Sequence, residues 1–363
     1  MKKILLLCTT SNTVVTFRRK FIEALQAENY DVSVIAFDDQ YKEEIEKKGI
    51  RFYCLEDKNR SLNPFKILSL KKRYKKLIEK INPDIVFTFM LKPNTFGVAA
   101  AKAAGVKQIY SMVEGAGDVF INQSLKWKLI RCFVCGLYRN SFKYSRKVFF
   151  LNKDDKKEFI ERKLVKEEQC EIVPGIGVDL EKFSQKPIKN AKTFLMIARM
   201  LKTKGVLEYC QAARVVKQKY PNAVFNYLGG EGTVTIADIQ EYIDDGSMHY
   251  LGMTKDVRPY LEECSVYVLP SYREGVSVSI MEAQATGRAV ITTQTNGCRD
   301  MIDDGENGFL VPVGNSEKLA EKMLWFLGNP QEVERMGKNG RKFAEKNYDP
   351  KVINERIIEE VQI

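Results

Sequence analysis

The amino-acid sequence predicts an α/β protein with two domains, each built on a doubly wound parallel sheet, that face each other across a cleft. Three observations favour this fold class. The chain has 363 residues, more than one hydrophobic core usually supports. Short apolar runs without polar alternation recur along it, as expected of parallel strands buried on both faces. Helical patterns separate these runs, and the alternation forms two successive series.

The apolar runs are interpreted as buried strands, six in each series, and each series would form one Rossmann-like domain. The predicted strands begin at residues 3, 30, 51, 84, 108 and 147 in the first series, and at residues 193, 223, 248, 266, 289 and 308 in the second. Residues 15–29, 94–105 and 276–287 are predicted to be helices, the last two ended by Gly105 and Gly287.

The polar segment 181–192 is the best candidate for a linker between the domains. We therefore expect an N-terminal domain over residues 1–185 and a C-terminal domain over residues 190–345. Residues 346–363 are expected to form a C-terminal helix that packs back towards the N-terminal domain.

Composition narrows the class of protein. The chain is 44% hydrophobic and 29% charged, as is typical of a soluble globular protein. The N-terminal apolar run stops at Cys8, so we interpret it as a buried strand rather than a signal peptide and expect a cytoplasmic protein. Of eight cysteines only Cys132 and Cys135 lie close together, without a nearby histidine. Reduced thiols and no metal site are therefore expected.

No standard phosphate-binding loop occurs in the sequence. Residues 115–120 and 175–180 each contain G-x-G without the third glycine, and no G-x-x-x-x-G-K-[ST] motif is present. These absences disfavour a hydride-transferring dinucleotide enzyme. The D-x-D pair by which many metal-dependent sugar transferases hold a cation is also missing. Basic side chains and helix N-termini would have to neutralise any bound phosphate.

Two basic residues follow the first predicted strand of the second series. Arg199 comes directly after the strand and Lys204 five residues later, so both can lie on one turn at the carboxyl edge of the sheet. A forked guanidinium and an ammonium together suit a diphosphate. On spacing alone, two solvated surface cations are the simpler interpretation, since charged residues are mostly exposed.

The stretch EGVSVSIMEA carries two glutamates around the start of a predicted helix. Glu274 falls in the strand–helix loop and Glu282 two turns into the helix. Each carboxylate could accept hydrogen bonds from adjacent hydroxyls, and the N–H groups of Val276, Ser277 and Val278 would point at an anionic or hydroxyl-bearing ligand. Taken alone, two such glutamates could be chance surface charge.

Together these motifs resemble the retaining glycosyltransferases of family 4. EGVSVSIMEA matches their E-x7-E signature, ARMLKTKG their Arg-x4-Lys element, and YLGGEG, HYLGMTKDV and NGCRDMIDDGENGFLV follow in the order of that family. The resemblance covers essentially the whole chain and is strong over residues 192–313. It implies a GT-B fold, a UDP-sugar donor bound mainly by the C-terminal domain, and no metal or other cofactor.

The same resemblance assigns roles to residues. Arg199 and Lys204 would bind the diphosphate, Glu282 the ribose hydroxyls and Glu274 the transferred sugar. Donor contacts are also expected at Met253, which lies where the family contacts the base, at Val276, Ser277 and Val278, and at Thr13 and Gly177. The implied chemistry is a front-face displacement in which a donor phosphate oxygen helps to deprotonate the acceptor hydroxyl. Arg199, Lys204, Glu274 and Glu114 are the catalytic candidates.

Two positions depart from the family pattern. Many members carry a histidine in an HG loop where this sequence has Glu114, and the only histidine of the chain, His249, is interpreted as a scaffold residue. Histidine chemistry is therefore not expected, and Glu114 would hold a donor or acceptor hydroxyl rather than act as a nucleophile. Asp300 stands where a glutamate is common, which leaves the role of that position open.

Through RSLNPF, KPNTFGVAAAKAAG and VEGAG, the N-terminal half resembles transferases that assemble bacterial N-glycans and capsule repeats on undecaprenyl diphosphate. The expected reaction is transfer of a hexose or N-acetylhexosamine from a UDP-sugar to an undecaprenyl-diphosphate-linked saccharide. Asn63, Lys92 and Asn94 are candidate acceptor contacts, with loop and helix-cap roles as the alternative. Other open functions are a UDP-sugar epimerase of the same fold, a transferase for another lipid or soluble acceptor, and a non-catalytic lipid-binding scaffold.

The charge distribution suggests a membrane surface as a partner. Residues 1–180 contain 34 lysines and arginines against 22 acidic residues, whereas the rest of the chain contains 24 against 25. Residues 64–81 and 125–147 combine apolar and basic residues, which favours an anionic membrane, although a solvated basic face remains the alternative. No motif supports binding of nucleic acid. We expect a peripheral protein at the inner face of the plasma membrane.

Overall fold

The computed structural model describes residues 1–57, 64–121 and 124–362, and the chain divides into two compact units. Unit 1 comprises Met1–Ile176 together with Pro350–Ile363, and unit 2 comprises Gly177–Asp349. Each unit has its own parallel sheet with helices connecting successive strands.

Unit 1 contains a sheet of seven parallel strands within the described residues. The strands are β1 (Lys3–Leu7), β2 (Asp31–Ala36), β3 (Arg51–Cys54), β4 (Ile85–Phe89), β5 (Gln108–Val113), β6 (Lys147–Phe150) and β7 (Cys170–Ile172). Their spatial order is β3-β2-β1-β4-β5-β6-β7. The central strands are buried on both faces, which explains their unbroken apolar sequences. The short edge strand β7 was missing from the six strands that the sequence predicted for this series.

The helices of unit 1 connect these strands. They are α1 (Ser11–Thr16), α2 (Arg19–Ala27), α3 (Lys42–Glu46), α4 (Pro64–Ile81), α5 (Val98–Ala103), α6 (Asp118–Ile121), α7 (Leu125–Phe142) and α8 (Lys153–Glu161). A π-helical turn, Pro93–Gly97, precedes α5, and a 3-10 turn, Glu167–Gln169, precedes β7. Helix α4 buries Leu70, Tyr74 and Ile78 at four-residue spacing, so one stripe of the helix packs in the core.

The predicted helix over residues 15–29 is two helices, α1 and α2. The break lies at Phe17 and Arg18, whose N–H groups both donate to the carbonyl oxygen of Thr13 at 3.0 Å. The regular helical pattern of hydrogen bonds therefore stops there. The break turns the Arg18 side chain into the interior, where only 4% of it is exposed.

Unit 2 contains six parallel strands and six α-helices in the part of the chain that the structure describes. The strands are β8 (Thr193–Ile197), β9 (Val224–Leu228), β10 (His249–Tyr250), β11 (Val266–Leu269), β12 (Ala289–Thr293) and β13 (Gly308–Val311). The helices are α9 (Val206–Lys219), α10 (Ile236–Asp244), α11 (Arg258–Glu263), α12 (Val278–Ala285), α13 (Ser316–Gly328) and α14 (Pro330–Asn347). Short 3-10 turns lie at Lys202–Lys204 and Arg299–Met301.

The last helix, α15 (Pro350–Gln362), belongs to unit 1 and packs against α2. The Lys147 Nζ lies 2.8 Å from Glu171 Oε1 and 3.3 Å from Glu360 Oε2, so this lysine of β6 joins the edge strand to α15. Because both carboxylates flank one ammonium, the contact ties the C-terminal helix to the sheet edge.

The two sheets share one strand order. The order in unit 2 is β10-β9-β8-β11-β12-β13, so numbering the strands within each unit gives 3-2-1-4-5-6 in both, with β7 added at one edge of unit 1. This is the doubly wound order that binds ligands where the strand sequence reverses, outside the carboxyl ends. The predicted fold class, two Rossmann-like parallel sheets, is confirmed. In unit 2 the reversal lies between β8 and β11.

Candidate active site

Two loops meet at the reversal point of the unit 2 sheet. One follows β8 and carries Lys204, and the other follows β11 and carries Glu274. The Tyr272 N–H donates to the Thr203 carbonyl oxygen at 2.8 Å, which joins the loops directly. Gly205 has φ +74°, and a Cβ there would collide with the Pro270 carbonyl oxygen. Glycine at this position therefore permits the close approach of the two loops.

The approach brings Lys204 and Glu274 into contact. The Lys204 Nζ lies 2.6 Å from Glu274 Oε1, and the Ser271 Oγ donates to the same oxygen at 2.7 Å. Only 10% of the Glu274 side chain is exposed, and Ser271 is fully buried. No hydrogen bond to the described residues engages Glu274 Oε2. The carboxylate is therefore held by one oxygen and has the other available for a ligand hydroxyl.

Arg199 lies on the same edge and is exposed. No carboxylate among the described residues forms an ion pair with its guanidinium. The adjacent backbone is packed against the end of β9, since a Cβ on Gly229 would collide with the Ala198 carbonyl oxygen. A Cβ on Gly230 would collide with the Met253 Sδ, so the exposed Met253 side chain lies over the same β9 loop. Arg199 and Met253 therefore both lie next to the glycines that follow β9.

The start of α12 faces the same edge. Ser277 is the N-cap, and its Oγ accepts from the Ile280 N–H at 3.3 Å. Within the described part of the chain, no acceptor receives a hydrogen bond from the N–H groups of Val276, Ser277 or Val278. Such free donors and the positive end of the helix dipole favour an anion. Tyr267 braces the first turn, because its Oη donates to Ser279 Oγ at 2.6 Å.

Glu282 projects from the second turn of α12, as predicted, and is half-buried. Burial raises the pKa of its carboxyl to about 7, an effect that Lys182 opposes and Asp256 reinforces. Asp256 itself stays ionised, because its hydrogen bond to Arg258 lowers its pKa to about 2. No side chain among the described residues hydrogen-bonds the Glu282 carboxylate. A half-buried carboxylate without a hydrogen-bond partner costs stability, which suggests that a ligand supplies the missing donors.

Glu114 in unit 1 is held by Arg18. It follows β5, and its Oε1 forms an ion pair with Arg18 Nη2. Arg18 also stacks on Phe89, the last residue of β4, with 4.1 Å from its guanidinium carbon to the ring centroid. The Glu114 side chain is 19% exposed, so the pair lies at the boundary between core and surface.

The predicted acceptor contacts differ in their surroundings. Lys92 forms an ion pair with Asp57 at 2.6 Å and is partly buried. Asn94 is 1% exposed, and its amide accepts from Thr88 Oγ1 at 2.7 Å and donates to the Met112 carbonyl oxygen at 2.8 Å. Asn94 therefore joins β4 to β5 in the core, and we do not include it in an acceptor site. Asn63 lies outside the described residues.

The remaining predicted positions lie in three places. Thr13, in the first turn of α1, donates from its Oγ1 to the Thr10 carbonyl oxygen at 2.7 Å. Gly177 has φ +79° at the start of unit 2. His249 is exposed on the edge strand β10, where it pairs with Asn226 of β9.

Sequence reasoning missed Arg18, which holds Glu114, and Ser271, which helps Lys204 to hold Glu274. Ser271 lies three residues before Glu274 in the loop that follows β11, so proximity could have indicated it. Arg18 lies 96 positions before Glu114 inside a predicted helix, and nothing in the local pattern distinguishes it from a surface arginine.

Within the described ranges, no group of three or more His, Cys, Asp and Glu side chains is placed to hold a metal ion.

Two helices of unit 1 expose basic and apolar side chains together. On α7, Leu125, Leu129 and Phe133 lie on one stripe at four-residue spacing and are 75%, 67% and 44% exposed. Lys126 and Lys128 flank this stripe and are also exposed. On α4 the exposed basic residues are Lys72, Arg73, Lys76 and Lys80. None of the described helices is both long enough and apolar enough to cross a bilayer.

Two parallel sheets of this order, with charged side chains at the reversal point, define a class of nucleotide-binding α/β enzymes. Comparison with family models narrows that class. Residues 178–343 match the family described as glycosyl transferases group 1, and residues 3–151 match glycosyl transferase 4-like. The chain therefore belongs to these glycosyltransferases, and the resemblance inferred from its motifs is confirmed.

Individual relatives cover nearly the whole chain. It is 31% identical over 360 residues to the N,N'-diacetylbacillosaminyl-diphospho-undecaprenol alpha-1,3-N-acetylgalactosaminyltransferase of Campylobacter jejuni, covering 95% of this chain and 94% of the relative. It is 26% identical over 320 residues to the UDP-Gal:alpha-D-GlcNAc-diphosphoundecaprenol alpha-1,3-galactosyltransferase of Escherichia coli, covering 83% and 81%. The Anabaena protein Alr3699/HepE, solved in complex with UDP-glucose, has the same fold, with a TM-score of 0.81 at 17% identity over the full length of both chains.

Proposed function

We propose that this protein is a retaining glycosyltransferase that moves a hexose or N-acetylhexosamine from a UDP-sugar to an undecaprenyl-diphosphate-linked saccharide. The observation that carries the proposal is the group formed by Lys204, Glu274 and the free N–H groups at the start of α12, at the reversal point of the unit 2 sheet. Positive groups for a diphosphate lie beside a carboxylate for sugar hydroxyls. The names of the Campylobacter and Escherichia relatives support the substrate class.

The diphosphate would be bound by Arg199, Lys204 and the N–H groups of Val276, Ser277 and Val278. Arg199 is exposed without an ion-pair partner among the described residues, so its guanidinium is free to bind phosphate bidentately. An ammonium has three donors, so Lys204 can bind phosphate while it keeps Glu274. The same groups would stabilise the charge that develops on the departing diphosphate. No resident cofactor is proposed.

The two glutamates would bind the two sugars of one donor molecule. Glu282 would accept hydrogen bonds from the ribose hydroxyls, and Met253 would cover the base. Glu274 would use its free oxygen to hold a hydroxyl of the transferred sugar. The C1–phosphate bond then breaks while the acceptor oxygen attacks the same face, and a donor phosphate oxygen takes the acceptor proton. The contribution of the protein is orientation and charge stabilisation.

Unit 1 would bind the acceptor. Glu114 has one carboxylate oxygen outside its ion pair and would accept a hydrogen bond from a substrate hydroxyl. Lys92, held by Asp57, is a further candidate for a contact with the acceptor. Thr13 and Gly177 remain candidates for contacts with the donor.

A lipid-linked acceptor requires the protein to work at a membrane, so we also propose peripheral attachment at the inner face of the plasma membrane. The exposed stripe of Leu125, Leu129 and Phe133 would enter the headgroup region while the flanking lysines meet anionic lipid. The exposed basic face of α4 would add attraction of about 1 kcal/mol per residue near the surface.

The transfer reaction tests the proposal directly. Purified protein is incubated with a panel of radiolabelled UDP-sugars and a synthetic undecaprenyl-diphosphate-linked saccharide, and label is measured in the organic phase. We expect lipid-linked label from at least one UDP-sugar and only with acceptor present. Interconversion of UDP-sugars without acceptor would instead identify an epimerase.

Vesicle sedimentation tests the membrane proposal. Binding to vesicles with anionic lipid should fall with added salt, since the screening length is about 10 Å at 0.1 M. Reversing Lys72, Lys75 and Lys76 to Glu should lower binding further, whereas reversing the exposed Lys338, Lys342 and Lys346 of unit 2 is the matched control and should not. Equal binding to neutral and anionic vesicles would contradict the proposed attachment.

A further inference from the structure

Arg18 is a buried cation beneath the carboxyl edge of the unit 1 sheet. It lies between α1 and α2, and 4% of its side chain is exposed. Its guanidinium contacts three residues on two strands and the loop after them: Phe89 at the end of β4, the Met112 Sδ of β5 at 4.0 Å, and Glu114 just after β5. It therefore lies next to the carboxyl ends of β4 and β5.

Glu114 is the one carboxylate that forms an ion pair with Arg18 among the described residues. Burial lowers the pKa of the Arg18 guanidinium to about 10, so it is still protonated at neutral pH. The Cys8 thiol that faces it is neutral, because burial raises its pKa to about 12. The interior charge of Arg18 is thus balanced by Glu114.

The Arg18–Glu114 ion pair is not an efficient way to stabilise the fold. Arg18 Nε is buried and has no hydrogen-bond partner among the described residues. An unsatisfied buried donor costs free energy, and apolar residues of similar volume often replace buried ion pairs without loss of stability. A buried ion pair next to a binding site can serve another purpose, because it fixes the position and the charge of the carboxylate.

The geometry of Glu114 indicates what is gained. Arg18 engages Oε1, and no described residue engages Oε2. One oxygen thus points inward to a fixed cation while the other is left for an external donor. An arginine that is itself packed against Phe89 restricts the rotamer of the glutamate it holds.

We infer that Arg18 is a positioning residue, whose guanidinium fixes the inner oxygen of Glu114 so that the outer oxygen accepts a hydrogen bond from a substrate hydroxyl. The inference rests on the proposed function, because it takes Glu114 as a substrate contact. Arg18 itself touches neither donor nor acceptor. Its loss should therefore act only through Glu114.

A double-mutant cycle with Arg18→Met and Glu114→Gln tests this inference in the full-length protein. Each single variant should lower kcat of sugar transfer by roughly 100-fold, the scale of misplacing one orienting group. The double variant should be no slower than the slower single variant, since both remove the same contact. Arg18→Lys keeps the charge without the fork and should have intermediate activity. UDP affinity, measured by calorimetry, should be unchanged in all of them.

The matched control is Arg51→Met, which removes a more exposed arginine–carboxylate pair, Arg51–Asp31, at the amino end of the same sheet. It should leave kcat unchanged. If Arg18→Met lowers kcat equally in the wild-type and Glu114→Gln backgrounds, Arg18 acts independently of Glu114 and the inference is wrong. If Glu114→Gln is fully active, both the inference and the substrate role of Glu114 fail. If the single variants lose transfer but still bind UDP, the result does not contradict the proposed donor site in unit 2.

Discussion

Replacing Glu282 by Gln should stabilise unit 2 while weakening its binding of UDP. Burial raises the pKa of this carboxyl from 4.5 to about 7, so the folded state binds the proton more tightly than the unfolded state. Protonation of Glu282 therefore stabilises the folded state at low pH, and this stabilisation is lost as the pH rises from about 4.5 to 7. A neutral amide at this position does not titrate, so the variant should escape this loss.

The magnitude follows from the two pKa values. Linkage gives a destabilisation of about 1 kcal/mol at pH 5 and about 3 kcal/mol at pH 8 from the ionisation of Glu282. The advantage of Glu282→Gln over the wild type should thus grow by roughly 2 kcal/mol between these pH values. For a unit of this size the corresponding change in Tm is roughly 4 to 8 °C.

The assay is thermal unfolding of the full-length wild type, Glu282→Gln and the matched control Glu317→Gln at pH 5 and pH 8. Glu317 is exposed in the first turn of α13, so its variant should follow the wild type. Calorimetry in the same buffers should show UDP affinity rising with pH for the wild type more than for Glu282→Gln. The phosphate ionisation of UDP is common to both and cancels. Parallel pH dependence of Tm in the wild type and Glu282→Gln would refute the reasoning.

Three further predictions concern the loops at the reversal point of the unit 2 sheet. Arg199→Ala and Lys204→Ala should each weaken UDP binding by roughly 10- to 100-fold, the scale of a charge-assisted hydrogen bond. Unchanged UDP affinity in calorimetry would mean that the diphosphate site is misplaced. Glu274→Gln should leave UDP affinity nearly intact but lower kcat by roughly 100-fold, because the contact strengthens as the transferred sugar gains positive charge; an equal loss of UDP binding would contradict its assignment to that sugar. Ser271→Ala removes one of the two hydrogen bonds that Glu274 Oε1 accepts, so it should lower kcat by about tenfold with the KM for the UDP-sugar little changed. Ser316→Ala, at the start of α13, is the control and should have no effect.

The sequence predicts the strands better than the helices. All twelve predicted strands form, and the apolar runs of the central strands are buried on both faces of a parallel sheet, whereas the edge strands β3 and β10 are partly exposed. Strand β7 escapes prediction because its three residues, Cys170–Ile172, include a glutamate and lie at the sheet edge. The helix predicted over residues 15–29 breaks at Arg18, whose burial depends on Glu114 and Phe89, both far away in sequence.

The sequence indicates the residues of the candidate site in unit 2 better than those in unit 1, and the reason is physical. Arg199, Lys204, Glu274 and Glu282 each follow a strand whose carboxyl end must lie at the same sheet edge, so topology alone brings them together. Asn94 also follows a strand, yet the hydrogen bonds of its amide are used inside the core. Whether a polar side chain turns inward depends on partners from neighbouring strands, which no local pattern reveals.

The anomeric configuration of the product tests the central claim most directly. UDP-sugars of hexoses and N-acetylhexosamines carry the sugar in the α configuration, so a retaining transferase must give an α linkage to the undecaprenyl-diphosphate-linked saccharide. The glycan is released from the lipid after incubation with the accepted UDP-sugar, and the new anomeric proton is measured by NMR. We expect the small coupling constant of an α linkage, in a product that Glu274→Gln forms roughly 100-fold more slowly. A β-linked product, or a changed UDP-sugar without transfer, would contradict it.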